Sequence, residues 1–422
     1  MLETLTSIWK SKDLRNRIFF TIGVLILIRF IAHIPLPGIN TAELQSFLNQ
    51  SQNQVLGVLS LFTGGSLSKL SIELLGVGPY ITASIVVQLL TKAIPQWDAL
   101  NREGSAGQEK LNQYTRYLAV PMAIIQGYGT LAILQSQNVL SSITTANLIQ
   151  MMVVITGTTI FVMWLGELIS ERGIGNGISM IIALGIIAGL PQQITNTSTT
   201  LQAGGYFDIF LVIALLLVSL VVIVVVNDAE RKIPITYARR AVGQGSAVNS
   251  YLPIRVNTAG VVPIIFALSF LTFPAVIARF FTTAKSHAIV NFANKVTALI
   301  NNQTFYGITY FILVLIFTFF YTYFVFQPDQ IAENLQQQGG FVPGVRPGSE
   351  TVTFLNYIIT RLTVIGAIFL ALIAILPLII QNVLNVTTLT LGGTSILIVV
   401  SVIIETSRQL NSLIIMHRYD SV

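Results

Sequence analysis

Cysteine is absent from the 422 residues, so a disulfide framework and a thiolate metal site are both excluded. Charge is scarce as well. Asp, Glu, Lys and Arg make up 9% of the chain, against about 25% in soluble globular proteins, and a soluble globular fold is set aside on that ground. The three histidines, His33, His287 and His417, lie far apart with no partner at metal-ligand spacing. No GxxxxGK[ST] phosphate loop occurs, so the chain has no recognisable means of hydrolysing a nucleotide. It also lacks an HExxH pair and a GxSG-type serine, which sets an intramembrane protease last among the candidates. The reading is therefore of a non-enzyme without cofactor or metal.

Apolar residues fill the space that charge leaves, at 53% of the chain. Ten stretches are long and apolar enough to cross a bilayer: 18–34, 77–94, 117–134, 148–169, 178–190, 209–226, 256–278, 306–326, 358–380 and 394–404. A spanning helix needs roughly 20 apolar residues, with ~17 as a lower bound, so 178–190 and 394–404 must draw on their flanks. Lys10, Lys12, Arg15 and Arg17 precede the first run as they would in a signal peptide. No small-residue cleavage site follows, and IPLPG (34–38) ends the run, so the first helix is read as retained.

Short cytoplasmic loops are enriched in Lys and Arg. With the amino terminus placed inside, eighteen of the 23 basic residues fall on the cytoplasmic side and four on the other, with Arg29 inside the first span. Both termini are then cytoplasmic. Most of the net charge of +6 is thereby topogenic, although a basic cytoplasmic face also suits anionic lipid or ribosomal RNA.

The expected fold is an all-α membrane protein of ten spans, in two halves of five, about 1–200 and 201–422. An odd number of spans per half makes the second half enter from the opposite side, as an inverted repeat with its working site at the interface near the midplane. Two cytoplasmic connections, 227–255 and 327–357, are long and hold arginines among their Pro and Gly, which suits partner docking. The main irregularity is 56–94. Gly64, Gly65, Ser66, Ser68 and Lys69 break an apolar run, and Gly76, Gly78 and Pro79 interrupt it again. Such a pattern gives a short half-helix followed by a full helix, sheltered by protein or by a water-filled cavity. Both a space-filling re-entrant hairpin and a segment that moves fit it. Asn257, at the start of the seventh span, should face another helix, either for packing or as a latch. A secondary transporter is the main competing class, with Arg29, Glu167, Arg361 and Glu405 as its ionisable groups, all near span ends.

Nine motifs in order carry a resemblance. They are IPLPG (34–38), FTGGSLSKLSI (62–72), GVGPYITASI (76–85), QYTRY (113–117), WLGELISERGIGNGIS (164–179), YARR (237–240), YLPIRVNTAGVVPIIFA (251–267), GGFVPGVRPG (339–348) and GGTSILIVV (392–400). Together they resemble the SecY family, the central subunit of the protein-conducting channel, essentially from end to end. The resemblance implies ten spans clasped around an hourglass pore, through which unfolded secretory polypeptides pass. It places the constriction at Ile81 and Ile85, Ile182 and Ile186, Ile265 and Ile398. Each of the first two pairs is spaced i,i+4 and so shares one helix face, and an apolar constriction disfavours water and ions by dewetting.

The resemblance also makes 56–72 a plug on the external side of the ring, with Phe62, Gly64, Gly65, Ser66, Ser68 and Lys69 as its residues. The second and seventh spans become jaws of a lateral gate toward lipid, with Gln88 and Asn257 as the polar contact that holds it shut. Arg239, Arg240 and Arg346 become charged anchors for the SecA motor or the translating ribosome. SecE and SecG are the implied small subunits, and polypeptides bearing signal sequences the substrates. A bacterial inner (plasma) membrane, or a thylakoid membrane, is the implied location. Two departures stand out. The chain stops at HRYDSV, without the longer basic tail common in the family, and RRAVGQGSAVNS (239–250) is less basic than in many relatives.

Overall fold

The computed structural model describes residues 11–37, 70–136, 144–201, 206–237, 250–281, 287–384 and 393–420. Ten helices follow the ten apolar stretches in chain order: α1 (Lys12–Ile31), α2 (Gly78–Ala93), α4 (Ser105–Ser136), α5 (Thr145–Arg172), α6 (Gly177–Leu201), α7 (Tyr206–Asp228), α8 (Val262–Phe281), α10 (Gln303–Val325), α12 (Ser349–Leu384) and α13 (Gly393–Asp420). Three further helices lie between them: α3 (Pro95–Arg102), α9 (His287–Asn301) and α11 (Pro328–Gln337). Among the described residues, Thr145–Arg172, Gln303–Gln337, Ser349–Ile380 and Ser395–Met416 are long and apolar enough to cross a membrane on their own. Gly177–Pro191, Ala214–Asp228 and Val262–Leu271 are shorter apolar stretches. The protein is an all-α, multi-pass membrane protein.

The helix ends have local causes. The Ser11 side chain accepts from Leu14 N and so caps α1, while Asp13 in the first turn suits the positive end of the helix dipole. Pro79 in the first turn of α2 costs no hydrogen bond there. The Asn302 side chain accepts from Thr304 N and Phe305 N and starts α10 one residue after α9 ends.

The spanning helices pack in two sets. In the first, α1 packs on α5 and α6, α2 on α4, α4 on α5, and α5 on α6. In the second, α8 packs on α10, α10 on α12, α12 on α13, and α7 on α13. The sets meet along two seams, one where α6 lies against α13 and α7, the other where α8 lies against α2 and α4. A single buried apolar cluster runs through both sets, from Val24 and Ile28 of α1 to Leu397 and Val402 of α13.

Two expectations from sequence change here. The seventh span was expected from 256, but its helix begins at Val262. Residues 256–261 form turns, with Gly260 at φ +63°, a conformation that favours glycine. Asn257 therefore sits below the helix. The second change concerns the two long connections, which build one sheet of order β2-β1-β3. In it, β1 (Glu230–Tyr237) pairs antiparallel with β2 (Ser250–Arg255), from Glu230↔Arg255 to Ile235↔Ser250. The short β3 (Gly340–Phe341) pairs with β1 at Thr236 and Tyr237. Ile233 and Ile254 face inward with Val342, Leu355, Ile358 and Ile359, so the sheet is fastened to the start of α12 by an apolar patch.

Candidate functional site

All six isoleucines singled out in the sequence are buried: Ile81, Ile85, Ile182, Ile186, Ile265 and Ile398 are each no more than 5% exposed. All six belong to the same apolar cluster. They come from α2, α6, α8 and α13, the helices that form the two seams. Val77, Ile181, Ala183, Ile264 and Leu268 pack in the same cluster. Tyr306 and Tyr310 are buried in the same cluster, and their hydroxyls have no hydrogen-bond partner.

The two gate candidates are both buried or half-buried, but they are not hydrogen-bonded to each other. Gln88 Nε2 donates to Ser84 Oγ on its own helix at 3.0 Å, and Gln88 Oε1 is buried without a partner. Asn257 Nδ2 donates to Asn227 Oδ1 at 2.7 Å, and Asn227 Nδ2 donates to Ser401 Oγ at 2.8 Å. This relay ties the turn below α8 to α7 and α13. It has further support: Val256 N donates to Ala229 O at 3.0 Å, and Arg408 bonds both Asn227 O and the Asp228 carboxylate. A Cβ on Gly366 would stand 2.6 Å from Val256 O, so α12 approaches this turn at a place where only glycine fits. The base of α8 is thus held within its own set, and the polar contact expected at Asn257 is made there.

A polar pair that the sequence reading missed lies beside the other seam. Gln126 Nε2 of α4 donates to Thr82 Oγ1 of α2 at 3.1 Å, and Thr82 donates onward to Gly78 O at 3.1 Å. A glutamine in the middle of an apolar span was the available signal, since lipid offers it no partner. At the C-terminal end of α2, Lys92 Nζ lies 3.0 Å from Asp98 Oδ1 and 6.0 Å from the Phe324 ring centre of α10. The hydrogen bond from Lys92, with Arg102 alongside, holds the Asp98 carboxyl below its ordinary pKa.

The plug candidates Phe62, Gly64, Gly65, Ser66, Ser68 and Lys69 lie outside the described residues, as do Arg239 and Arg240. The last three residues of the 56–72 segment are described, and they are clamped. Leu36 N donates to Leu70 O and Ile72 N to Ile34 O, both at 2.9 Å, so Pro35 and Ser71 face each other as an isolated bridge. Leu70 has φ +41° and a fully buried side chain. A non-glycine residue in that region costs on the order of 1–3 kcal/mol, which the packing of Leu70 with Leu36, Leu74, Leu131 and Met151 offsets.

Arg346 projects from the turn before α12 with its side chain 87% exposed; Glu350, 4.0 Å away, is its ion-pair partner. A shallow cavity of about 450 Å³ lies next to it, lined by Gly344, Val345, Ser349, Glu350, Thr353, Phe354 and Tyr357. The Arg361 guanidinium stacks on Tyr357 at 4.1 Å. Three of the ionisable groups of the transporter reading, Arg361, Glu167 and Glu405, lie in separate surroundings. Arg361 is engaged there, Glu167 pairs with Arg116 at 2.8 Å, and Glu405 is exposed on α13.

A protein-family model described as SecY matches residues 71–407. The chain belongs to the SecY family. It is 38% identical over 437 residues to the protein translocase subunit SecY of Streptomyces scabiei, covering 100% of this chain and 99% of that one. It is also 38% identical over 441 residues to the SecY subunit of Mycobacterium tuberculosis, with the same coverage. Among solved structures, a protein conducting channel aligns with TM-score 0.67 at 20% identity, covering 96% of this chain and 93% of that one. Sec61 from a canine ribosome–channel complex of the endoplasmic reticulum aligns with TM-score 0.64 at 18% identity and the same coverage. At such identities these structures speak to the fold, and the fold is that of the SecY and Sec61 channels.

Proposed function

We propose that this protein is a protein-conducting channel, which passes unfolded secretory polypeptides through the membrane and releases sufficiently apolar segments sideways into lipid. The observation that supports the reading is that Ile81, Ile85, Ile182, Ile186, Ile265 and Ile398 are all buried and belong to one apolar cluster drawn from both sets of helices. In a SecY-family chain these six side chains are the constriction, closed at rest by side-chain packing. The seam between α8 and the α2–α4 pair is the lateral gate, and the two helix sets, about 1–200 and 201–422, are its two halves. The relay through Asn257, Asn227 and Ser401 fixes the base of α8, so the gate opens by movement of α2 and α4 against it. Gln88 and the Gln126–Thr82 pair lie on the α2–α4 side. Residues 56–72 are the plug, hinged where Leu70 and Ser71 are clamped to the 34–36 segment.

No residue needs to be catalytic. Transport is powered from outside the chain, by a motor ATPase of the SecA kind or by the translating ribosome. The docking surface is the sheet face and the turn around Arg346, and Arg239 and Arg240 are its further charged anchors. Small membrane subunits of the SecE and SecG kind complete the assembly. Both termini are cytoplasmic, in a bacterial plasma membrane or a thylakoid membrane.

Reconstitution into vesicles with the partner motor tests this directly. The wild-type chain should bring a secretory precursor into protease-protected form on addition of ATP. Arg346→Glu should lower that yield several-fold, because it reverses an exposed charge without removing buried contacts. A normal yield for Arg346→Glu would remove the docking assignment, and no protection with the wild-type chain would remove the channel reading itself.

A further inference from the structure

The helix between the seventh and eighth spans, α9, is not accounted for by the pore or the gate. It has 15 residues, HAIVNFANKVTALIN, and packs against α8 and α10. Ala293 and Ile300, seven apart and so about 20° from each other around the helix, are buried against the protein, and Val296 joins the main apolar cluster beside them. Phe292 and Leu299 are also seven apart but are 70% and 51% exposed. The remaining arc holds Asn291, Asn294 and Lys295, all exposed. The circumference thus divides into three: a face on the protein, an uncovered apolar stripe, and a polar arc.

Chain continuity fixes where the helix lies. The sheet is at one end of α8, because β2 precedes it, and α9 follows its other end. A single residue, the cap Asn302, separates α9 from α10. The exposed apolar stripe of α10 starts at once with Phe305 and runs on through Ile308, Ile312 and Ile316, at the spacing of one helix face. These exposed apolar side chains belong to a membrane-spanning helix. Leu299 is thus six residues from the start of an exposed apolar stripe on a membrane-spanning helix, and α9 lies at the end of α10 where that span leaves the bilayer.

We propose that α9 is a membrane-interface helix. Phe292 and Leu299 enter the acyl boundary of the leaflet away from the sheet, while Asn291, Asn294 and Lys295 stay at headgroup level or in water. Helices with such a division lie in the interface plane. The arrangement holds the far ends of α8 and α10 at a set depth, which leaves them free to move along the membrane plane.

The absence of native cysteine makes the test clean. Phe292→Cys, Leu299→Cys and Asn294→Cys are made singly in the full chain, labelled with a nitroxide and placed in vesicles of phosphatidylcholine and phosphatidylglycerol. Collision rates with oxygen and with a water-soluble nickel chelate then report depth by electron paramagnetic resonance. Labels at 292 and 299 should favour oxygen over the chelate several-fold more than the label at 294. Equal ratios at all three would put the stripe in water and overturn the proposal. Protection of 292 and 299 from both reagents would also overturn it, since a protein subunit or a second copy would then cover the stripe. The readout is depth rather than transport, so it stands or falls independently of the channel reading.

Discussion

Replacing Ile85 and Ile186 together with glycine should raise the resting ion conductance of the reconstituted channel by at least about tenfold. The two side chains sit on α2 and α6, in the first helix set, and both are buried in the apolar cluster that also holds Ile265 of α8 and Ile398 of α13. Each Ile→Gly change removes four carbons from a surface that repels water. At about 0.8 kcal/mol per methylene, losing two of those carbons from the barrier already amounts to about the 1.4 kcal/mol that corresponds to a factor of ten. Planar-bilayer recording at rest gives the measurement. The control is Ile312→Gly, an equal deletion on the exposed face of α10, which should leave conductance unchanged. Equal conductance in the double variant and the wild type would contradict the constriction assignment.

The second large effect concerns the substrate. A translocating segment that samples lipid through the α2–α8 seam partitions by its own hydrophobicity. Leu or Ile contributes about −0.3 to −0.6 kcal/mol, and Asp, Lys or Arg about +2.5 to +3.5, at a helix centre. One Leu→Asp change at the centre of a borderline segment therefore shifts the balance by about 3–4 kcal/mol, more than a hundredfold in favour of passage across the membrane. Protease protection of a precursor carrying either segment measures it: the apolar version should stay membrane-integrated, and the Asp version should be fully protected in the lumen. A shift that ignored the substitution would mean that the segment never meets lipid from inside the channel.

The spans were legible because lipid imposes a composition that local sequence must satisfy, and the i,i+4 pairs of isoleucine put two residues of each of two helices on one face. What was not legible depends on distant pairing. Asn257 bonds Asn227, 30 positions away, and Asn227 bonds Ser401, 174 positions away. An asparagine next to a span announces that it needs a partner, without naming one, so the expected link to Gln88 gave way to a relay inside the second helix set. The sheet was missed although β1 carries a signal, since Ile233 and Ile235 alternate with exposed neighbours. Pro234 between them, and the short length of β3, hid it inside what read as punctuated loops. The late start of the seventh span followed from Gly260 and Pro263, which were visible in sequence but are tolerated inside membrane helices.

The most direct measurement is made on a polypeptide arrested part-way through the channel. With no native cysteine to interfere, single cysteines at Ile85, Ile186, Ile265 and Ile398 can be paired, one at a time, with a single cysteine in the arrested chain. Disulfide cross-links should form from all four positions, and not from a cysteine at the exposed Ile312 of α10. No cross-link from the four, or equal cross-linking from Ile312, would mean that the polypeptide does not pass through the isoleucine cluster.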